Sequence, residues 1–368
     1  MKLSRLMSRF SLKLFLQIFG VVASILTIFP FIAVDHWTVR VFDFPHLQLT
    51  LLTMLALLTY FYRFDIRDFK DYLFVITLSA CFLFQGMKIF PYTAFANYEV
   101  NDASSEAKDF VSIYTANVLQ DNDDVELVVQ DAERFDADVV LFTETNMKWV
   151  NSLNKGLGHK YPHKIEVPLE NTYGMLLLSK YSFEEESIKY QIEDTIPSIH
   201  TKIKLPSGKK IQLFAIHPAP PTPQHNPSSV DRDAEMMKTA KLSHYSKYPV
   251  IVLGDFNDVA WSETTRLFSK FSGLLDLRKG RGFYSTYNAK SWLMRWPLDH
   301  VFSSADFRVV DVQRGKKTGS DHFPFYTKLS LEPGLASEQQ LPRPSKKEIE
   351  EAFEQINNEE EEDKSGGN

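Results

Sequence analysis

The chain has 368 residues, a formal net charge of -6 and one cysteine, Cys81. A single cysteine excludes an internal disulfide and a cysteine-based zinc site, and the acidic balance argues against a dedicated nucleic-acid-binding module, which is usually basic. The length allows one large catalytic domain and something besides.

Residues 1–100 read as a membrane anchor. Leu14 to Val34 is apolar apart from Gln17, Ser24 and Thr27; Pro45 to Tyr62 carries no charge; Tyr72 to Phe90 carries Gln85 and Lys88 near its end. A helix crosses a bilayer in ~20 residues, so three transmembrane helices are expected, over about 14–34, 45–62 and 72–90. The first run exceeds the ~7–15 residues of a signal-peptide core, and two more follow it, which favours an anchor over a cleaved leader. Lys2, Arg5, Arg9 and Lys13 precede the first run and Arg63, Arg67 and Lys70 separate the second from the third, whereas the first loop has only Arg40. Basic loops stay in the cytoplasm, so everything after about residue 91 is expected to face away from it.

Residues 101–108 are small and polar, a linker. Phe110 to Tyr114 alternates as a strand and leads to Asn117, and Asp123 to Phe135 has helical spacing. Asp138 to Thr143 reads as a buried strand ending at Glu144, and Met175 to Ser179 as another. Ile199 to Leu205 and Ile211 to Ile216 read as a hairpin whose second strand ends at His217. Pro218 to Pro223 is a stiff loop able to shape a pocket. Ser228 to Tyr245 is helical in pattern. Pro249 to Leu253 is an apolar strand, broken by Gly254 and followed by Asp255 and Asn257, two apart and hence on one side in extended geometry. Leu298 to Phe302, Phe307 to Val312 and Phe323 to Leu331 read as the last strands, and residues 332–368 as a disordered acidic tail with at most a short helix over 346–356.

Strand after strand thus ends on a chemically useful residue: Asn117, Glu144, His217, Asp255 with Asn257, and Asp321 with His322 just before the last strand. A rigid sheet positions loop residues at its edge, and turn preference alone does not produce so many. In this order, with Gly254-Asp255-Phe256-Asn257 and Ser320-Asp321-His322 as its most specific motifs, residues 109–331 resemble the endonuclease/exonuclease/phosphatase (DNase I-like) superfamily. The resemblance implies an α/β (α+β) four-layer sandwich, two mixed β-sheets flanked by helices, here preceded by the three transmembrane helices. It also implies Mg²⁺- or Mn²⁺-dependent cleavage of a phosphoester. A subset of bacterial members has the same anchored arrangement, which implies a bacterial inner membrane with the catalytic domain facing the periplasm or outside.

The resemblance also implies roles. Glu144 is a metal ligand, a carboxylate for a hard cation, with Asn117 helping to hold the metal or its water and Asp321 completing the metal site or bonding a neighbouring histidine. Asp255 positions or deprotonates the attacking water, Asn257 and His217 bind the phosphate, and His322 is either the base or a phosphate-binding imidazolium oriented by Asp299. His300 alternates to the other face and is structural; His159, His163, His200, His225 and His244 have no motif around them.

Substrate is the open part of the reading. Arg314, Lys316 and Lys317 precede the Ser-Asp-His motif, and Arg278, Lys279 and Arg281 form a second basic cluster; either could hold a polyphosphate or a nucleic-acid backbone. Trp292 and Trp296, with Leu293, Met294 and Arg295, suit a bilayer surface. The expected substrate is a lipid-linked or other extracytoplasmic phosphate, the alternative is DNA or RNA, and a non-catalytic binding module comes third. No obligate protein partner is expected.

Overall fold

The computed structural model describes residues 2–29, 36–222 and 226–366. Its N-terminal part has a long helix α1 (Lys2–Ile28) and a short α2 (Trp37–Arg40) that continues into a 3-10 turn at Val41–Asp43. Two further helices follow, α3 (His46–Tyr60) and α4 (Phe69–Ile89). Helices α1, α3 and α4 pack around Ala23, Ala56 and Leu78. Their interior also holds polar groups: Gln85 Nε2 donates to Thr27 Oγ1 at 2.6 Å, and Thr53 Oγ1 donates to Gln85 Oε1 at 3.1 Å. Near one end, Lys13 Nζ meets the buried Asp71 at 2.7 Å. The outward faces carry Phe15, Ile18, Leu55, Leu58, Leu73, Ile76 and Leu83, all exposed. The bundle thus holds a few hydrogen-bonded polar groups beside a small apolar cluster, and its exposed faces are apolar where those of a water-soluble bundle are polar.

Only part of the expected set of spans meets the criterion of length and composition. Phe69–Tyr92 is long and apolar enough to cross a membrane. The first expected span has a shorter apolar helix, Leu12–Ile28, and its end at 30–34 lies outside the described residues. The second is one arm of a pair, Trp37–Asp43 and His46–Arg63, bent by 71°.

The rest of the chain builds two sheets. In chain order come β1 (Phe110–Asn117), α5 (Val125–Phe135), β2 (Val139–Thr143), α6 (Met147–Leu157), β3 (His163–Val167) and β4 (Met175–Ser179). They are followed by β5 (Phe183–Tyr190), β6 (Pro197–Lys204), β7 (Lys210–Ala215), α7 (Val230–His244), β8 (Val250–Asp255) and α8 (Glu263–Ser272). The last elements are β9 (Leu275–Asp276), β10 (Asp299–Ser303), β11 (Phe307–Arg314), β12 (Phe325–Leu331) and α9 (Lys346–Gly366). One sheet runs β11-β12-β1-β2-β4-β3 and the other β5-β6-β7-β8-β10-β9. Each has one parallel pair at its centre, β1 with β2 and β7 with β8, and antiparallel neighbours around it.

The apolar runs of the central strands are explained by burial on both faces. Ile113, Leu141 and Leu177 from one sheet meet Leu213, Ile251 and Leu253 from the other in the central core. The alternate residues Tyr114, Val140 and Phe142 pack outward with Trp149 and Leu153 of α6. Phe214 and Val252 pack outward with Met236 of α7 and Phe268 of α8. The architecture is two mixed sheets face to face with helices outside.

Strands β3, β5 and the two-residue β9 and helices α6 and α8 were not anticipated. Strand β5 lies at a sheet edge with charged, exposed residues and no buried face to give it an alternating pattern. Strand β3 lies at the other sheet's edge. Helices α6 and α8 are opened by side-chain caps, Asn146 accepting from Trp149 N and Ser262 accepting from Thr265 N. The expected disordered tail is corrected: residues 346–366 are helical. Ile349, Ala352, Phe353 and Ile356 fall at i, i+3, i+4 and i+7, and this stripe packs on the α7/α8 layer, with Ala352 and Ile356 buried. The Phe353 ring lies 5.9 Å from that of Phe271, and Lys238 Nζ pairs with Glu359 at 2.9 Å. Acidic composition signalled disorder only because the apolar stripe's partner was not visible in the sequence.

Candidate active site

The sheet topology explains why the motif residues meet. β1 and β2 are parallel and end at Asn117 and just before Glu144; β7 and β8 are parallel and lead to His217 and Asp255. β10 and β12 run antiparallel to β8 and β1, so their starts lie at the same edge. Asp299 therefore pairs in register with Asp255, and Asp321 and His322 stand just before β12 beside the end of β1.

The Gly-Asp-Phe-Asn turn is tightly built. Gly254 has φ 138°, and a Cβ there would stand 2.0 Å from the Ile216 carbonyl oxygen, so no side chain fits. Asn257 (φ 50°) and Glu144 (φ 62°) both hold left-handed backbone, a conformation that costs a non-glycine residue about 1–3 kcal/mol and gathers at functional sites. Asn257 Nδ2 donates to Pro218 O at 2.9 Å, its N–H donates to Asp255 Oδ1 at 3.0 Å, and its carbonyl accepts from buried Arg232 at 3.0 Å.

Asn117 ties two carboxylates together: its Nδ2 donates to Glu144 Oε1 at 2.7 Å and to Asp255 Oδ2 at 3.0 Å, while its Oδ1 accepts from Leu119 N at 2.9 Å. Glu144 Oε2 also accepts from Gln120 N at 3.1 Å. The residue anticipated as a metal ligand thus orients the two carboxylates through its amide nitrogen. His322 Nδ1 donates to Asp299 Oδ2 at 2.7 Å, and its Nε2 lies 3.6 Å from Asp255 Oδ2. His217 Nε2 lies 3.9 Å from the same Asp255 oxygen, and its ring is 5.4 Å from that of Tyr173. Asp321 is partly exposed, with Oδ1 buried and unpartnered among the described residues.

The electrostatics follow from this packing. Burial pushes the His322 imidazole down, but the Asp299 and Asp255 carboxylates outweigh it and lift the pKa to about 10. Burial pushes Asp255 up, but His322, His217 and the hydrogen bonds from Asn257 and Asn117 together hold it below the usual carboxylate range. Burial, reinforced by the Asp255 charge, leaves Asp299 above that range despite its histidine partner. The result is a cationic imidazole between two carboxylates, arranged to stabilise or move a proton beside an anionic group.

These residues open onto a cavity of about 330 Å³. Glu144, Asp255, Asn257, Asp321 and His322 line it, as do Pro220 and Pro221 of the stiff loop; Pro223 and His225 lie outside the described residues.

The sequence pattern described as the Endonuclease/Exonuclease/phosphatase family matches residues 114–322. The chain belongs to the endonuclease/exonuclease/phosphatase family. Members of this family are phosphoester hydrolases, nucleases and phosphatases among them. No curated protein matches the chain. Among solved structures, TDP2 of D. rerio complexed with single strand DNA product is 17% identical with a TM-score of 0.52, over 60% of this chain and 99% of that one. An endonuclease/exonuclease/phosphatase from Bacteroides vulgatus is 18% identical with a TM-score of 0.50, over 61% of this chain and 100% of that one. At such identities the likeness is one of fold.

Members of the family typically use a divalent metal, and the donors here suit one. Asp255, Asp299 and His322 offer ligand atoms within 4.8 Å of one another, close enough to hold an ion together. In that group, Asp299 and His322 are also bonded to each other through Oδ2 and Nδ1. Glu144 and the unpartnered Oδ1 of Asp321 line the same cavity without such a bond between them and offer oxygen ligands, the kind a hard cation prefers.

The anticipated substrate-binding residues are not brought together. Arg314 lies over the Phe323 ring at 4.2 Å and donates to Ser285 O at 3.1 Å; Lys316 and Lys317 are exposed and outside the cavity lining. Trp292 is 84% exposed, whereas Trp296 is half-buried, stacked on Tyr287 at 6.0 Å and edge-on to Phe44 at 5.6 Å. The second basic cluster is corrected outright. Arg278 is buried on Asp276, Lys279 pairs with Glu99 and Arg281 with Asp102, so each of the three has a carboxylate partner. His300 is buried between Arg278 and the Asp258 carbonyl.

Sequence reasoning missed the opposite side of the cavity, where Trp37, Arg40, Val41 and Phe44 join Tyr287 and Leu298. The available signal was the aromatic and apolar character of the short segment between the first two apolar runs, Trp37, Val39, Val41, Phe42 and Phe44, on the side assigned to the catalytic domain by loop charge.

Proposed function

We propose that this protein is a membrane-anchored, divalent-metal-dependent phosphoester hydrolase whose domain faces away from the cytoplasm and acts on a lipid-linked phosphate. The observation that carries the reaction class is the convergence of Glu144, Asp255, Asn257, Asp321 and His322 on one cavity, with Asp299 bonded behind the histidine. Glu144 and Asp321 would hold Mg²⁺ or Mn²⁺, which when bound offsets charge building up on the phosphoryl oxygens. Asp255, ionised, orients the attacking water. His322, cationic and fixed by Asp299, donates to a phosphoryl oxygen, and Asn257 and His217 complete the phosphate's contacts.

The membrane reading is supported by the apolar outward faces of the helical bundle, rich in leucine, isoleucine and phenylalanine, and by Thr27, Thr53 and Gln85 hydrogen-bonded to one another inside it. The lipid reading is supported by the exposed Trp292 loop, whose Leu293 carbonyl accepts from Gln48 Nε2, in the first turn of α3, at 2.8 Å. That contact holds an exposed tryptophan beside the start of an apolar helix, as at a headgroup layer. Neutralisation of the basic cluster at 278–281 removes one support for a nuclease.

The test compares the full-length protein, in mixed micelles with Mg²⁺, on a phospholipid or polyisprenyl phosphate and on supercoiled plasmid. The reading expects lipid turnover well above plasmid nicking, and lipid turnover reduced by Trp292→Ser. Efficient nicking with no lipid turnover would transfer the assignment to a nuclease.

A further inference from the structure

The cavity is not built by the catalytic domain alone. Its outer wall is the segment between α1 and α3, contributing Trp37, Arg40, Val41 and Phe44. That segment is fastened to the domain at several points. Trp37 N donates to Pro227 O at 2.8 Å, and Trp261 Nε1 donates to Asp43 O at 2.7 Å. Arg40 stands 4.0 Å from Asp233, which is bonded to the same Arg232 that holds the Asn257 carbonyl. The wall is therefore tied to the Gly-Asp-Phe-Asn turn through two buried side chains.

The two sides of the cavity differ in chemistry. One presents carboxylates and imidazole suited to a phosphoester; the other presents an indole, a valine and a phenylalanine, with Val41 46% exposed, and Arg40, whose guanidinium stands beside Asp43 and Asp233. The apolar side is continuous with α3, whose leucines face outward, and with the Trp296 ring that packs on Phe44. Such a cavity matches a molecule with one charged end and one apolar end that reaches the site from the side where α3 leaves it.

Resting on the phosphoester-hydrolase reading above, we infer that the segment Trp37–Phe44 is a specificity wall that selects a membrane-resident phosphoester by its hydrocarbon chain. The first carbons of the chain lie against Trp37, Val41 and Phe44 while the phosphate meets His322 and Asn257. The anchor thus does more than tether: it supplies part of the substrate site, and a polymer lying across the strand ends would meet this wall.

The test uses the full-length protein in detergent micelles with Mg²⁺ and two chromogenic diesters with the same reacting group, p-nitrophenyl hexadecyl phosphate and p-nitrophenyl methyl phosphate. Micelle partitioning raises the hexadecyl rate equally for every variant, so the informative quantity is the change in the ratio of kcat/KM values. Replacing Trp37 and Val41 together with Ser is expected to lower the hexadecyl-to-methyl ratio about tenfold, mainly through KM, the effect of losing a few methylene contacts. Leu242→Ser, at an exposed position on α7 outside the cavity, is expected to leave it in place. A second arm guards against misfolding of the double variant. In Val41→Cys, a bulky maleimide on the exposed new thiol is expected to slow hexadecyl hydrolysis about tenfold relative to the unlabelled variant, with Leu242→Cys labelled as control. A ratio unchanged by the double substitution, or labelling at 41 without effect, overturns the wall. Failure of the wild type to cleave either ester overturns the hydrolase reading itself, and the wall with it.

Discussion

Nδ1 of His322 donates to Oδ2 of Asp299 at 2.7 Å, and Nε2 of the same ring lies 3.6 Å from Oδ2 of Asp255. One imidazole is thus held between two buried carboxylates, of which Asp255 lines the cavity and Asp299 does not. Asp299→Asn removes the charge behind the ring while nearly keeping its shape. The pKa of His322 then falls from about 10 toward its ordinary value, so the imidazole loses its proton at lower pH. Turnover of a phosphodiester should drop about 10²–10⁴-fold, and the alkaline limb of the pH–rate profile should move to lower pH. A profile with the same limb as wild type would show that Asp299 does not set the histidine's charge.

Glu235 on α7 is buried, and its Oε1 has no hydrogen-bond partner among the described residues. Burial, with Glu193 adding to it and Lys238 opposing it, raises its pKa to about 8. A carboxyl that holds its proton in the folded state and loses it near 4.5 in the unfolded state gives stability that is complete below pH 4.5 and lost as pH rises toward 8. The slope is at most about 1.4 kcal/mol per pH unit in that window. Glu235→Gln should flatten the fall in melting temperature between pH 5 and 8. An equally steep fall in the variant would place the titrating group elsewhere.

Reporter fusions after residue 100 address topology. The basic residues Arg63, Arg67 and Lys70 lie between α3 and α4, and the wall segment Trp37–Phe44 lies on the domain's side of the bundle. An extracytoplasmic reporter should be active there and a cytoplasmic one silent. The opposite pattern would mean that α4 does not cross, and the lipid reading would weaken with it.

The catalytic edge was legible because its signals are local. Gly254, Asp255 and Asn257 sit next to one another, and each apolar strand ends on its own functional residue, so the order of motifs sufficed to collect Asn117, Glu144, His217 and His322. The cavity's other wall was not legible, because Trp37 and Val41 meet Asp255 only through tertiary packing across more than two hundred residues of chain. The same cause hid the helix α9, whose stripe of Ile349, Ala352 and Ile356 has meaning only beside α7 and α8. Charge was the least informative signal: Arg278, Lys279 and Arg281 look like a phosphate-binding cluster until Asp276, Glu99 and Asp102 are seen beside them.

The central claim is that Glu144 and a divalent cation together support phosphodiester cleavage at the Asp255–His322 edge. The direct measurement is hydrolysis of bis(p-nitrophenyl) phosphate by the full-length protein while Mg²⁺ or Mn²⁺ is titrated into metal-stripped enzyme, for wild type and for Glu144→Gln. The account predicts that wild-type activity appears with added metal and vanishes in EDTA, and that the variant is slower by about 10²-fold or more at every concentration while its melting temperature stays near that of wild type. Full activity in EDTA, or a Glu144→Gln variant as fast as wild type, would contradict it.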